Sequence, residues 1–491
     1  MITPNYVWLN THSPIKVDQL PNLKAPEELK IICGFVPAFK SEPHTVPDKA
    51  LKSKLYTYYG SRVPPATYWG QKATDLIEFL DDFSDDNKRL RKVVERFADL
   101  PTDEAKIAAA YNWLRDSILN LNYFDLVEWD DGRRKSKEPD DIETADDLFK
   151  HRYGWRTDID KAFADMLREM NIDARYCYAK DRFDDLLVTD AKYWQLDRSL
   201  VAVPTAEPGK YTFYTVGRAC TPIEKAPWFL EGVQALIGGG RDLMVPIPFS
   251  PPDYSITQTM YNVEITEDLE AFGTMSSRLT GHDAYGVRIT LVDEDTADFA
   301  GLLKEETEAS YPDAKVDSIT VDQLDDLTEP VLVACQLTYP ELTTAGSRIL
   351  LKPFDYCSSV ENPFYAPERK NAILFNWAYE LKESAHLVLP EGYVIEALPA
   401  DTTFENVTGR CMIGFQQMGN TVVAQRFFRL KHPFWNVADY PALQELFQAR
   451  QDLSGQVVVL KEGEFIDESD SELEAPIEPK VTEPAEKTTG L

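Results

Sequence analysis

The stretch Tyr153-Gly154-Trp155-Arg156-Thr157-Asp158, with the segment IDKAFADMLREMNIDA that follows it, constrains this chain more than any other. Ile159, Ala162, Phe163, Met166, Leu167 and Met170 recur at steps of three and four, so they form one apolar stripe of a helix. Asn171 follows the last stripe residue, where a left-handed helix stop is common, and RYCYA then reads as a short strand. A turn carrying glycine, then a buried helix, then a strand presents a nucleophile at a helix N-terminus. There the aligned peptide dipoles and free backbone N–H groups stabilise a thiolate.

These residues resemble the transglutaminase-like, papain-related core of bacterial multidomain proteins. The family's pattern runs Gly-Asp-Cys-Lys-Asp-Lys-Ala, then a long apolar helix, then Gly-Ile-x-Ala. It matches here from Gly154 through Asp158 to Ile172 and Ala174. The resemblance puts the nucleophilic cysteine at Arg156, with Trp155 before it. The family's histidine lies in a Phe-Asn/Asp-His strand, and the matching segment here is Leu196-Asp197-Arg198-Ser199-Leu200, with Arg198 in the histidine position. The family's aspartate lies in a Leu-Asp-Pro segment, where Phe213-Tyr214-Thr215-Val216-Gly217 offers Thr215. The resemblance thus implies a kept fold and a lost reactive trio.

The chain has 491 residues, enough for two to four domains, and its 43% hydrophobic content lets each bury a core. The net charge of −31 repels phosphate backbones and anionic membranes, so nucleic acid is not an expected partner. Six scattered cysteines with no Cys-x-x-Cys imply neither a zinc knuckle nor a dense disulfide framework. No run is apolar enough to cross a bilayer, and MITPNYVWLN has no basic start followed by an apolar block, so it does not read as a signal peptide. The family resemblance implies a periplasmic or secreted protein, so compartment stays open. No cofactor is expected.

Along the chain four regions are expected. Residues 1–60 are Pro-rich and strand-like, with LKIICGFVPAF as one buried strand. Val36, Pro37, Ala38, Phe39, Glu42 and Pro43 match the passage that ends a β domain in the resembled family, so this region is expected to be a remnant of that domain. TYYGSRVPPATYW (57–69) reads as strand and turn, and helical periodicity runs from about Ala66 to Leu100. Thr102-Asp103 starts a helix with Ile107, Tyr111, Leu114 and Ile118 on one face, and Thr144 with Asp147 forms a box that caps another. Residues 61–245 are thus expected to be the transglutaminase-like α+β core. Residues 246–461 are rich in short alternating segments, among them YNVEIT, YGVRITLV, EPVLVACQLTY and NTVVAQRFFRLKH, with a hairpin tip at Met418-Gly419-Asn420. They are expected to form a mostly-β sandwich interrupted by one helix near Glu294–Ser310. Residues 462–491 are acidic, rich in Pro and Thr, and expected to be disordered.

Thiol chemistry needs a thiolate, a base and a carboxylate that orients the base. Arg156 stays protonated and has no lone pair to give, Arg198 fails as a base for the same reason, and Thr215 carries no charge. Cys177 and Cys220 are candidate replacements, but no histidine is near either in sequence, and small apolar fillers are what cysteines commonly are. Two arginines in the old cleft fit either an internal salt-bridge cluster with Asp158, Asp197 or another acid, or a cradle for an anion at a helix N-terminus. Trp155 reads either as a stacking platform beside them or as core packing. The expected ligand-binding set is therefore Arg156, Arg198, Trp155 and Asp158. The expected function is a catalytically inactive binding or scaffolding module for a protein, an anionic peptide or a saccharide. The rival is a cysteine peptidase or acyl transferase with a rearranged site.

Overall fold

The computed structural model describes residues 3–9, 38–52, 54–60, 63–124, 139–189, 194–239, 243–293, 296–311, 314–340, 342 and 344–463. The expected strand over 29–39 and the expected tail beyond 463 lie largely or wholly outside them. β1 (Thr3–Leu9) pairs antiparallel with β2 (Lys54–Gly60), and the single turn α1 (Asp48–Leu51) comes between them in sequence. Three helices follow: α2 (Pro65–Ser84), α3 (Lys88–Val94) and α4 (Asp103–Ser117). Pro64 and Pro65 fix the start of α2, because a proline at the first helical position lacks only an N–H that would be unpaired anyway. Thr102 caps α4, its side chain accepting the Ala105 N–H at 3.2 Å.

β3 (Leu119–Asn120) pairs in parallel with β4 (Tyr153–Gly154), and α5 (Ala145–His151) lies between them in sequence. Thr144 and Asp147 form the expected reciprocal cap of α5. α6 (Arg156–Glu169) carries the apolar stripe and stops at Asn171, whose φ of 62° is the left-handed value. An antiparallel sheet follows, made of β5 (Arg175–Ala179), β6 (Arg198–Pro204), β7 (Tyr211–Tyr214), β8 (Gln234–Ile237) and β9 (Met244–Pro246). Its order is β7-β6-β5-β8-β9.

Side chains alternate across this sheet. Tyr176, Val201, Tyr214 and Leu236 join the core formed with α2 to α6. Cys177, Leu200, Phe213, Ala235 and Ile237 face the other way, into a second core with Phe229 and Tyr285.

The second half holds β10 (Ile256–Ile265), β11 (Ala271–Leu279), α7 (Gly281–Asp293), α8 (Thr296–Ser310), β12 (Lys315–Asp322), β13 (Val331–Tyr339), β14 (Thr344–Ala345), β15 (Arg348–Leu351), β16 (Ile373–Leu374), β17 (Tyr379–Val388), β18 (Tyr393–Ala397), β19 (Thr402–Glu405), β20 (Gly409–Met418), β21 (Thr421–Leu430), β22 (Phe434–Trp435), α9 (Tyr440–Ser454) and β23 (Val458–Glu462). An eight-stranded sheet runs β12-β13-β11-β10-β17-β21-β20-β19, with β10 and β17 parallel, and a four-stranded sheet runs β14-β15-β23-β18. Residues of both sheets and of α9 share one core, so the expected β-rich unit is present. The hairpin tip at Gly419, with φ of 60°, is as expected.

Two expectations need correction. YGVRITLV is not a strand but lies in α7, so three helices, α7, α8 and α9, and not one, interrupt the strands among the described residues. Its β-branched composition suggests extended chain, yet the buried residues of α7 include His282, Tyr285 and Arg288, spaced for a helix face. Arg288 sets that face by donating to the carbonyls of Gln323, Leu324, Asp326 and Glu329. Glu462, expected to open the tail, is the last residue of β23.

The two halves are joined through polar contacts. Arg182 donates to the carbonyls of Trp228 and Asn376, and His282 pairs with Glu231 at 3.0 Å, both residues buried. The Glu42 carboxylate accepts the backbone N–H groups of Lys370 and Asn371, tying the segment before α1 to the second half. No helix of the described residues is long and apolar enough to cross a membrane.

Phe163 is fully buried at the middle of α6, edge-on to Tyr111 at 5.7 Å. Phe163→Ala is expected to lower unfolding free energy by roughly 3–5 kcal/mol, read from urea titration. Trp155→Ala, at a residue 46% exposed, is expected to change it by less than about 1 kcal/mol.

Candidate functional site

The three segments flagged in the sequence meet at one buried carboxylate. Asp160, one turn into α6, is 1% exposed. It accepts the hydroxyl of Ser199 at 2.7 Å and the backbone N–H of Gly217 at 2.8 Å. Ser199 is the neighbour of Arg198, and Gly217 lies two residues beyond Thr215. The Gly217 carbonyl in turn accepts Asn120 Nδ2 at 2.7 Å. A β-carbon at 217 would overlap the backbone of Arg156, so glycine is what lets this turn press against the helix start.

The predicted site residues fare differently. The backbone N–H of Arg156 donates to Asn122 Oδ1 at 2.8 Å, and its half-buried guanidinium makes no hydrogen bond or ion pair among the described residues. Arg198 alternates with Ser199 along β6, so it points off the face that α6 covers. Its Nη2 pairs with Asp181 at 2.9 Å and its Nη1 donates to the Asp197 carbonyl at 3.3 Å. Asp158 bonds neither arginine. It accepts the Trp155 N–H at 3.1 Å and pairs with Lys161 at 3.2 Å, serving its own helix start. Trp155 is nearly half exposed and is not core. Thr215 is 1% exposed, and its hydroxyl has no hydrogen-bond partner among the described residues. No hydrogen bond or ion pair joins Arg156, Arg198 and Thr215 to one another.

Burial dominates the electrostatics here. It lifts the Asp160 carboxyl to about 7, against the opposing pull of its two hydrogen bonds and of Arg156. It also pushes the Cys177 thiol well above its usual range, and the Asp160 charge adds to that effect. Cys177 is fully buried in the core on the sheet face away from α6, its Sγ 3.2 Å from the Leu200 carbonyl. A thiol so placed is inert.

Asp160, Ser199, Gly217, Asn120 and Asn122 were not singled out from sequence. One signal was present. Asp160 falls three and seven residues before Phe163 and Leu167, so an acid sits on the edge of the apolar stripe.

Residues 347–460 match a family described as a domain of unknown function with a solved structure, DUF3858. No curated protein sequence matches this chain. A solved structure from Parabacteroides distasonis, described as that of a candidate protease, is similar with a TM-score of 0.46 and 12% identity. The match covers 94% of this chain and 70% of that one. The chain is therefore a mixed α and β, multidomain protein whose C-terminal part carries the DUF3858 match.

An aspartate whose folded value is raised penalises folding progressively as pH rises from about 4 to about 7, and fully above that. In Asp160→Asn, Oδ1 can keep the Gly217 bond and the amide N–H can donate to Ser199. The variant's stability relative to the parent is expected to rise between pH 4.5 and pH 8 by an amount on the order of 3–4 kcal/mol, measured by urea unfolding at both. A pH-independent difference would show that Asp160 does not titrate in this range.

Proposed function

We propose that this chain is a catalytically silent protein with a transglutaminase-like core, acting as a binding or scaffolding module for an anionic peptide or saccharide. One observation carries the reading. The helix start, the strand and the turn that would hold a thiol, an imidazole and a carboxylate are tied together by Asp160, yet they bear Arg156, Arg198 and Thr215. Neither arginine can attack or take a proton at neutral pH, and threonine cannot orient a cation. The guanidinium of Arg156 at the first turn of α6, unpaired among the described residues, with the half-exposed Trp155 ring next to it in sequence, supports an anionic ligand. Arg198, already held by Asp181, contributes less.

The rival, a cysteine peptidase or acyl transferase with a rearranged site, has to rely on Cys177 or Cys220. The first is buried and its thiol held protonated; the second lines an adjoining cleft whose lining holds no histidine.

Incubation with a glutamine donor, a primary amine and a peptide panel is expected to yield no product. Turnover that disappears in Cys177→Ala or Cys220→Ala would overturn the proposal. Citrate, phosphate or a uronic acid is expected to raise the melting temperature of the parent protein. Arg156→Ala should remove that rise while changing the unliganded melting temperature little, as its side chain makes no hydrogen bond or ion pair among the described residues.

A further inference from the structure

A cleft of about 630 Å³ opens where α4, the turn after β7, α7 and the 324–327 loop meet. That volume falls within the range of small-molecule sites, and a junction between packed units is a common place for one. Its walls are mainly apolar, with Leu114, Ile118, Val216, Leu291 and Leu327 among them. Asn120, Ile159 and Val216 also line it, so the cleft borders the site described above, but Arg156, Arg198 and Trp155 are not part of its lining.

Arg218 supplies a fixed cation in this lining. Its guanidinium lies 4.5 Å over the Phe229 ring, and its Nε donates to the Tyr285 hydroxyl at 3.0 Å. No carboxylate pairs with it among the described residues. Asp181 acts on it only from a distance and is already bonded to Arg198. Among the described residues its Nη1 and Nη2 atoms make no hydrogen bond. A planar fork held by stacking and one hydrogen bond, with its outer edge free, is pre-organised for a carboxylate.

The other charges around the cleft leave this intact. Arg115 and Asp116 pair with each other at 2.9 Å, and Asp325 is exposed on the loop. The Arg288 guanidinium gives its Nε and Nη2 to four carbonyls of the 323–329 loop. Three arginines against two aspartates make this lining positive in a chain of net charge −31.

We propose that the cleft binds a monocarboxylate with an apolar body, the carboxylate on the Nη atoms of Arg218 and the body against the leucine and isoleucine walls. A fatty acid and a peptide C-terminus ending in an apolar residue share this chemistry. The partly exposed Cys220 lines the same cleft, whereas Cys177, Cys335, Cys357 and Cys411 are buried, so its alkylation reports occupancy.

The test uses the full chain carrying Cys33→Ala, so that Cys220 is the thiol labelled by iodoacetamide. Decanoate and N-acetyl-Ala-Leu, both at millimolar concentration, are the two arms. Saturable slowing of labelling by either one is expected, and which one acts identifies the source. The methyl esters should not slow it. Arg218→Gln should weaken the half-saturating concentration roughly tenfold or more, the loss of a charge-assisted pair. Should that variant fold poorly, Leu327→Trp, which fills the cleft, should slow labelling without ligand and remove the response to carboxylates. Unslowed labelling in both arms, equal protection by the esters, or protection that survives both variants would overturn the proposal.

Discussion

A buried carboxylate with two donors holds the first half of this protein together. Asp160 leaves α6, takes a hydroxyl from β6 and a backbone N–H from the turn after β7, and so joins three elements that are far apart in sequence. The cost of burying an acid is what raises its affinity for a proton, and the two hydrogen bonds offset only part of it. Gly217 is held at both ends, by Asp160 at its N–H and by Asn120 at its carbonyl. The helix start, the strand and the turn therefore keep one mutual position.

The second constraint is the two-sided sheet. Because its side chains alternate, a sheet covered by helices on one face still leaves an apolar row on the other. Tyr285 of α7 comes from the second half of the chain and covers that row together with Phe229. Buried polar groups follow from this docking. Arg182, Glu231 and His282 all sit at the junction, and each finds at least one partner across or beside it. The cleft carrying Arg218 is a product of the same docking, since its walls come from both halves.

Much of the architecture was legible. The stripe on α6, the Asn171 stop, the Thr144–Asp147 box and the Gly419 hairpin all rest on interactions among residues a few positions apart, and local spacing records those. The failure at YGVRITLV has the opposite origin. Its β-branched residues carry a strand preference, but Arg288 must reach four carbonyls some 35–41 residues away, and packing of Ala284 and Tyr285 overrides the local bias. The candidate site was legible by position and not by partner. Arg156, Arg198 and Thr215 were located, but the acid that organises their segments was hidden among the residues of an apolar stripe.

By itself the sequence determined which residues stand at the helix start, the strand and the turn, and so that no cysteine or histidine occupies them. It also determined the starts of α4 and α5 and the stop of α6, because caps and stops are short-range chemistry. Only the tertiary structure decided that Arg198 turns to Asp181 while Arg156 finds no such partner among the described residues, and that Asp160 lies at the meeting point. Strand alternation and the order β7-β6-β5-β8-β9 set those directions, and both come from pairings between residues far apart along the chain, which no local spacing encodes.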